Sequence, residues 1–419
     1  MRAVIKPSSL LHFSVITPLH TRDLVFPAGT KQHDRESSVF IIPGESAMNK
    51  KTITLAIITA LAASNYAITA TAGGVKYKKG DKYLKLGGRI QLQYHQKKPD
   101  TGSSTDNLFF RRFRPYIEGS IHKDWKGKFQ WDMGKAKVSV KDAYMEYKGF
   151  EGVKIIVGNY NFPFSREFLT SSKHQQFVER TFNGDHNYGT PDRQAGVHLK
   201  GKTADKKISW RASAAMGAIK SDASKIDFGS VVNKTTYNEG IMVGGRVDFH
   251  PFGYLKMSQG DFHRKQKATI GIAAFTWNND KDITPPGGAD VDKVTGFEIS
   301  GAYRNAGLSV DAEYNNFSSD LIDTTLTSGL YKNGSTKLTN YMVKGGYMVV
   351  PSTLEIVAGY QSQDADNYAT KWNRTSIGAN WFLKKQDIKI QLTYRVGKNL
   401  KGVSGADEKE VFLQTQYVF

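Results

Sequence analysis

The chain has 419 residues, a formal net charge of +19 and no cysteine, so a disulfide framework is excluded. After residue 72 no run of 18 or more apolar residues occurs, which argues against helical membrane spans. Aromatic residues make up 12% of the chain and only 39% of it is hydrophobic, a mixture that suits strands with one apolar and one polar face.

The N-terminal part predicts export rather than fold. Residues 1–47 show no periodicity, and we interpret them as an unstructured, over-extended reading frame. Residues 48–72 combine a basic start, an apolar run and the small-residue sequence Ala70-Thr71-Ala72, which together indicate a signal peptide. The domain would therefore span 73–419. Since an exported basic protein does not meet nucleic acid, its charge indicates a small anion or an anionic surface as the partner.

Alternating apolar and polar residues recur at intervals of roughly 20 residues from there to the end of the chain. Each segment is near the length of about 9–11 residues that a tilted strand needs to cross a bilayer. We therefore predict an all-β fold, a 16-stranded antiparallel transmembrane β-barrel with a water-filled lumen. The predicted strands are 83–94, 109–120, 126–135, 139–149, 152–160, 193–201, 206–216, 239–249, 265–277, 294–304, 306–316, 337–348, 352–362, 372–383, 386–396 and 410–419.

The predicted connections fall into two length classes. On one side most are tight, such as 203–205, and on the other most are long and polar, such as 217–238. Short periplasmic turns and long outer loops are typical of outer-membrane barrels. Two connections depart from the pattern, because 136–138 is short for an outer loop and 250–264 is long for a turn.

Aromatic residues lie on the apolar faces near the predicted strand ends, where aromatic girdles meet the two membrane interfaces. They are Trp131, Tyr147, Trp210, Phe249, Tyr303, Tyr314, Tyr347, Tyr360, Trp381, Tyr394 and Tyr417. The last strand ends on an aromatic residue, Phe419, as bacterial outer-membrane barrels do. This distribution favours a lipid-facing outer surface.

If the apolar residues face outward, the residues between them line the lumen. The basic ones are Lys85, Arg89, Arg112, Arg114, Lys128, Lys154, Lys200, Arg211 and Arg246, and the acidic ones are Glu298, Asp311, Glu313 and Glu355. Rings of Arg or Lys select anions in pores. The alternative is that the cations pair with carboxylates such as Glu118, Asp132 and Asp142, as they do in non-selective porins.

Residues 161–192 form the longest predicted connection, and long loops in compact domains are usually functional. Its cations and hydroxyls are Arg166, Lys173, Arg180 and the adjoining Arg193, with Ser165, Thr170, Ser171 and Ser172. Such groups can replace the water around an anion, so we expect this third loop to fold inward and narrow the bore. The alternative is a loop that lies over the barrel or along a subunit contact.

Four stretches resemble the phosphate-selective porin O and P family. They are Phe110-Arg111-Arg112 with Arg114, Tyr116, Glu118 and Gly119; Lys141-Asp142-Ala143-Tyr144; Pro163-Phe164-Ser165 with Glu167, Thr170-Ser171-Ser172, Phe177, Glu179 and Arg180; and Asp192-Arg193 with Gly196. The third-loop motif is fairly specific, whereas the others are weak singly. The resemblance covers the first half of the domain by motif and the second half by strand pattern.

The resemblance implies a homotrimer of barrels whose third loop forms an anion site. The implied site residues are Tyr116, Lys128, Asp142, Ser171, Ser172 and Arg180, with Arg112 and Arg114 in an arginine ladder above them. We place Arg89, Arg166, Arg193 and Arg211 in the same basic lumen. One departure concerns phosphate, because Phe168 stands where phosphate-binding members of the family tend to have Lys.

Other functions fit less well. The ten His residues are scattered, no nucleophile-elbow or zinc-protease motif occurs, and His198 is alone on its strand, so an enzyme, a metal site and a cofactor are not predicted. A general diffusion porin without ion preference remains the main alternative to an anion channel. A surface-binding barrel is a third, and it would have a plugged bore. The expected partners are small inorganic anions and outer-membrane lipid.

Overall fold

The computed structural model describes residues 74–233, 238–281 and 289–419, so the predicted segments 1–47 and 48–72 lie outside the described residues. The described part contains nineteen strands in one sheet. They are β1 (Val75–Lys79), β2 (Lys82–Gly87), β3 (Arg89–Pro99), β4 (Thr105–Phe113), β5 (Tyr116–His122), β6 (Trp125–Asp132), β7 (Ser139–Tyr147), β8 (Val153–Asn161), β9 (Arg193–Lys202), β10 (Ile208–Ile219), β11 (Asn238–Phe249), β12 (Lys267–Asn279), β13 (Val291–Asn305), β14 (Leu308–Leu321), β15 (Ser335–Val350), β16 (Leu354–Asp364), β17 (Trp372–Lys384), β18 (Ile388–Lys398) and β19 (Glu408–Val418).

Helical structure is confined to short pieces in the connections. One turn of α-helix, α1 (Arg166–Leu169), lies in the long third loop. The 3₁₀ turns of the described residues are Gly134–Ala136, Ser172–His174, Phe182–Gly184, Val231–Asn233 and Leu400–Gly402. A membrane-crossing helix, long and apolar enough for that purpose, is not found within 74–233, 238–281 or 289–419.

Every strand pair is antiparallel, and from β5 onward each strand pairs with the next one in the chain. The last strand, β19, also pairs with β3, from Val418 opposite Arg89 to Glu408 opposite Pro99. Alternating patterns predict such neighbour-to-neighbour pairing, because each strand can satisfy its backbone groups only against the strands beside it.

Fourteen of the predicted segments each overlap one strand, whereas the first two are each divided. The segment 83–94 covers β2 and β3, which meet at Gly87-Gly88, and 109–120 covers β4 and β5, which meet at Arg114-Pro115. Proline interrupts a ladder because it has no N–H to donate. The strand β1 was not predicted, because its five residues fall well short of the about 9–11 that a membrane-spanning strand needs.

The two faces of the sheet have the reverse of the polarity found in water-soluble proteins. On β14 the side chains of Ser309, Asp311 and Glu313 are buried, whereas Leu308 and Tyr314 are exposed. The same alternation of buried polar and exposed apolar residues runs through β11 to β19. Of the predicted girdle residues, Phe249, Tyr314, Tyr347, Tyr360, Trp381, Tyr394 and Tyr417 are among the large exposed side chains. An apolar exposed face is what contact with lipid requires.

One part of the buried face is apolar, which differs from the expected water-lined interior. Phe275 and Trp277 of β12 and Phe317 of β14 pack with Phe162 and Phe164 of the third loop. Further members of this apolar cluster are Ile219, Ile226, Phe228, Met242, Ala273, Val291, Val294, Leu321, Leu330, Tyr331, Leu338 and Ala365. Alternation alone cannot predict the cluster, because it depends on connections that fold onto the sheet from distant positions in the chain.

Candidate functional site

A cavity of about 560 Å³ lies between the early strands and the third loop. Ten Lys and Arg line it, against six Asp and Glu, so it carries a net positive charge. The cations are Arg89, Arg111, Arg112, Arg114, Lys128, Lys135, Lys141, Lys173, Arg180 and Arg193, and the acids are Glu118, Asp132, Asp142, Glu179, Asp185 and Asp192.

Ten of the twelve residues named from the sequence line this one cavity. They are Tyr116, Lys128, Asp142, Ser171, Ser172, Arg180, Arg89, Arg112, Arg114 and Arg193. Arg166 and Arg211 are not among the lining residues. The Arg166 side chain is instead buried, with its Nε 3.6 Å from a carboxylate oxygen of Asp311.

The cavity holds four cations that were not included in the predicted site: Arg111, Lys135, Lys141 and Lys173. Two of them, Arg111 and Lys141, lie at irregularities of the sheet. Between Gln91 and Leu92 of β3 the partner in β4 jumps from Arg112 to Phe110, so Arg111 is an extra, unpaired residue. The same shift on β7 leaves Lys141 between the paired residues Val140 and Asp142. Because a β-bulge re-aims a side chain, two consecutive residues reach the cavity at each place.

Half of the ten cations of the cavity are held by carboxylates. The Arg114 Nη2 and Lys128 Nζ atoms lie 2.7 and 2.6 Å from oxygens of Asp132 and Asp142. Two further ion pairs join Lys141 to Asp192 and Arg193 to Asp142. Another joins Arg111 to Glu179 through two hydrogen bonds of 2.5 and 2.9 Å. These pairs fix the wall of the cavity and neutralise much of its charge.

Three arginines of the cavity have no carboxylate partner among the described residues: Arg89, Arg112 and Arg180. Arg89 Nη1 donates to the Ser171 hydroxyl at 3.0 Å, and Arg112 Nη1 donates to the Gln91 amide oxygen at 3.0 Å. The Gln91 amide in turn donates to the carbonyl of Ser172 at 3.4 Å.

The Nε atom of each of the three arginines is buried without a hydrogen-bond acceptor, and so is the Ser172 hydroxyl. An unpaired buried polar group costs roughly 1–3 kcal/mol, so a ligand that supplies acceptors would be stabilised here.

Burial and neighbouring charges shift the pKa values of several side chains in the third loop. Burial opposes ionisation of Glu179, but the Arg111 guanidinium holds the pKa of its carboxyl far below the ordinary value. Burial and the neighbouring Arg89 lower the pKa of Lys173. Burial also lowers the pKa of Arg180 to about 10, which still leaves that side chain protonated at neutral pH. Arg180 therefore stays positively charged near neutral pH, and Glu179 stays ionised.

The third loop is anchored to buried polar side chains of the later strands. The N–H groups of Ser165 and Arg166 donate to the two carboxylate oxygens of Glu298 at 2.6 and 3.1 Å. Further along, Gln176 Nε2 donates to Glu355 at 2.7 Å and Phe182 N donates to Gln361 at 2.8 Å. Of the predicted acidic lumen residues, Glu298 therefore binds the backbone of the loop and Glu355 binds the side chain of Gln176, and both are buried.

This arrangement offers positioned positive charge on the polar side of the sheet. Groups of three or more His, Cys, Asp or Glu able to hold a metal are not found in the part of the chain that the structure describes. The buried His198 ring bonds to the Ser213 hydroxyl at 2.7 Å and to two backbone carbonyls, a structural arrangement. An antiparallel sheet with an apolar exposed face and a basic cavity on its polar face is the arrangement expected of a channel protein of the outer membrane.

Comparison with known proteins supports the assignment as a channel protein of the outer membrane. The family model described as phosphate-selective porin O and P matches residues 84–419, and the chain belongs to this family. It is 31% identical over 123 residues to Porin O of Pseudomonas aeruginosa, a match that spans 27% of this chain and only 28% of that relative.

Two more similarities extend over most of the chain. An uncharacterised protein of Aquifex aeolicus is 24% identical over 344 residues, which are 73% of this chain and 79% of that protein. The anion-selective porin of Comamonas acidovorans superposes with a TM-score of 0.55 at 13% identity, covering 81% of this chain and all of that porin. At this identity the superposition shows a shared fold, and the predicted family is confirmed by the family match.

Proposed function

We propose that the protein is an outer-membrane channel for the passive diffusion of small inorganic anions such as phosphate and chloride. The observation that carries the proposal is the excess of cations in the cavity, where Arg89, Arg112 and Arg180 have no carboxylate partner within the described ranges. A cation at about 10 Å attracts a monovalent anion by about 1.7 kcal/mol at an effective dielectric of about 20. Several such sites favour anions without trapping them.

The proposal includes a closed barrel of sixteen spanning strands. Counting β2 with β3 and β4 with β5 as bent single strands, and setting β1 aside, leaves sixteen. The backbone bonds between Arg89 and Arg114, 2.9 and 3.2 Å long, support the continuity at both bends. The pairing of β19 with β3 supports closure. Barrels of this size leave an aqueous channel.

We also propose that the third loop folds into this barrel and narrows it. Its support is the set of bonds from Ser165, Gln176 and Phe182 to buried side chains of β13 and β16. A homotrimer is proposed on the family resemblance alone. Cross-linking of the protein in outer membranes, followed by denaturing electrophoresis, would test it, and a product limited to the monomer would contradict it.

A general diffusion porin with little ion preference is the second candidate. It is favoured by the six carboxylates that share the cavity with the cations, because Asp142, Asp192 and Glu179 each neutralise an arginine or lysine. The two candidates differ in the sign and size of the potential that balances a salt gradient. The same experiment therefore decides between them.

The test is the reversal potential of the purified protein in a planar bilayer with a potassium chloride gradient. We expect a chloride-selective potential, and we expect Arg180→Ala to lower the chloride-to-potassium permeability ratio by roughly tenfold, since about 1.4 kcal/mol of attraction is a factor of ten. Lys401→Ala, an exposed change in a distant loop, should leave the ratio unchanged. A wild-type reversal potential near zero would favour the general diffusion porin and contradict the anion channel.

A further inference from the structure

The ring of Phe168 and the guanidinium of Arg180 form a contact that the proposed anion path does not by itself explain. The Arg180 Cζ atom lies 5.3 Å from the centroid of the Phe168 ring, and both residues line the cavity. A cation above an aromatic face is attracted by about 0.5–2 kcal/mol, more when the pair is shielded from water. Phe168 is itself almost completely buried, which shields the contact.

Two backbone carbonyls complete the attachment of Arg180. Its Nη2 atom donates to the carbonyl of Phe168 at 3.1 Å and to that of Thr170 at 2.9 Å. These bonds use both hydrogens of Nη2, so Nε and Nη1 are the donors left for a ligand. Nε is buried without an acceptor, and Arg180 has no carboxylate partner among residues 74–233, 238–281 and 289–419. Two carbonyls therefore fix the Nη2 atom of Arg180, whereas its Nε atom has no hydrogen-bond acceptor.

The position of Phe168 is in turn fixed by the start of α1. Its N–H donates to the hydroxyl of Ser165 at 3.0 Å, the N-cap of that helical turn. Ser165 has a φ of 57°, a strained value for a residue with a side chain, and its own N–H is held by Glu298. Glu298 pairs with Arg246 through two oxygens at 2.7 Å each. A buried ion pair on the sheet thus holds the segment that carries the ring.

We propose that Phe168 is a positioning residue for anion selectivity: its ring and carbonyl hold the Arg180 guanidinium so that Nε and Nη1 are presented to a small inorganic anion. An arginine side chain loses about 2 kcal/mol of rotamer entropy when it is immobilised. If the ring immobilises it beforehand, that entropy is not lost again each time an ion enters. This inference rests on the proposed function, since it assumes that anions pass Arg180.

The experiment is a double-mutant cycle read by reversal potential in a chloride gradient. Phe168→Leu keeps an apolar side chain without a ring face, and Phe168→Tyr keeps the ring. Each is measured alone and with Arg180→Ala. We expect Phe168→Leu to lower the chloride-to-potassium permeability ratio by about threefold, a modest cation–π effect, and Phe168→Tyr to stay near wild type. On the Arg180→Ala background Phe168→Leu should have no further effect.

The outcomes separate the two proposals. A non-selective wild type would refute the anion channel itself. A selective wild type in which Phe168→Leu equals wild type, or lowers selectivity equally with and without Arg180, would overturn only the positioning role. Heat-dependent mobility on gels checks that each variant folds. If Phe168→Leu does not fold, Phe168→Met provides a second ring-free side chain for the same cycle.

Discussion

Arg111 and Lys141 show how far the basic cavity could be predicted from sequence. The family motifs gave Ser171, Ser172 and Arg180, and alternation gave Arg112 and Arg114, all of which line the cavity. Arg111 and Lys141 were missed because a period of two assigns consecutive residues to opposite faces. A bulge breaks this rule locally, and its position depends on the register of a neighbouring strand that one segment cannot reveal.

Glu298 is the residue on which the start of the third loop depends most. Its side chain is fully buried, accepts two loop N–H groups and pairs with Arg246. We expect Glu298→Gln to lower the free energy of unfolding by about 2–3 kcal/mol, because it removes a charge from a buried pair while keeping the shape. Urea titration in detergent micelles measures this. Glu151→Gln, the same change in an exposed turn, is the control, and an equal effect of both would contradict the role of Glu298.

The third loop was predictable as an element but not in its contacts. Its length and its hydroxyl and arginine motif indicated a functional loop. Its partners could not be inferred, since Ser165 and Glu298 are 133 residues apart in the chain. Neutral amides hold the far side of the loop, where Gln391 donates to the carbonyls of Gln175 and Gln176 at 3.1 and 3.0 Å. Hydrogen bonds between such neutral amide and carbonyl groups do not weaken with salt as surface ion pairs do.

His174, in the same loop, should make the protein sensitive to mild acid. Burial and the neighbouring Lys173 lower the pKa of its imidazole to about 3, and its Nδ1 atom has no partner. The unfolded chain binds this proton near pH 6.5, so between about pH 6.5 and 3 protonation favours unfolding and stability falls as the pH falls. From pH 6.5 to 5 the loss should reach about 2 kcal/mol.

His174→Gln, which cannot be protonated, should remove this part of the pH dependence. The measurement is the difference in unfolding free energy between wild type and variant at pH 7, 6 and 5. Asp192 and Glu179 contribute in the same direction only at lower pH, because their carboxyl pKa values are depressed. A constant difference from pH 7 to pH 5 would show that His174 is already accessible to protons in the folded loop.

The sheet as a unit was the most predictable feature, because one physical constraint repeats along it. Every second side chain is apolar and exposed, as Ile299 is, and the residues on either side of it, Glu298 and Ser300, are polar and buried. The apolar cluster around Trp277 was not predictable in this way. There the inward residues are apolar because loops, rather than water, cover them.

Contact with lipid predicts a depth-dependent cost of charge on the exposed face. Ile299→Arg, near the middle of β13, should lower the free energy of unfolding in lipid vesicles by about 2–4 kcal/mol. Leu308→Arg, beside the tight turn at the start of β14, should cost about 0–1 kcal/mol. Both positions are similarly exposed, so equal costs would mean that water, not hydrocarbon, covers this face.

The position of the apolar cluster between β11 and β15 has a consequence for engineering the proposed channel. Because Phe162, Phe164 and Phe317 pack on the side of β12 and β14, the proposed conduction path lies on the side of the early strands, where the basic cavity is. In this proposal the apolar cluster has a structural role, and ions pass along the basic cavity. Because the two regions share no residue, substitutions in the basic cavity can change which solutes pass while the packing of the apolar cluster is retained.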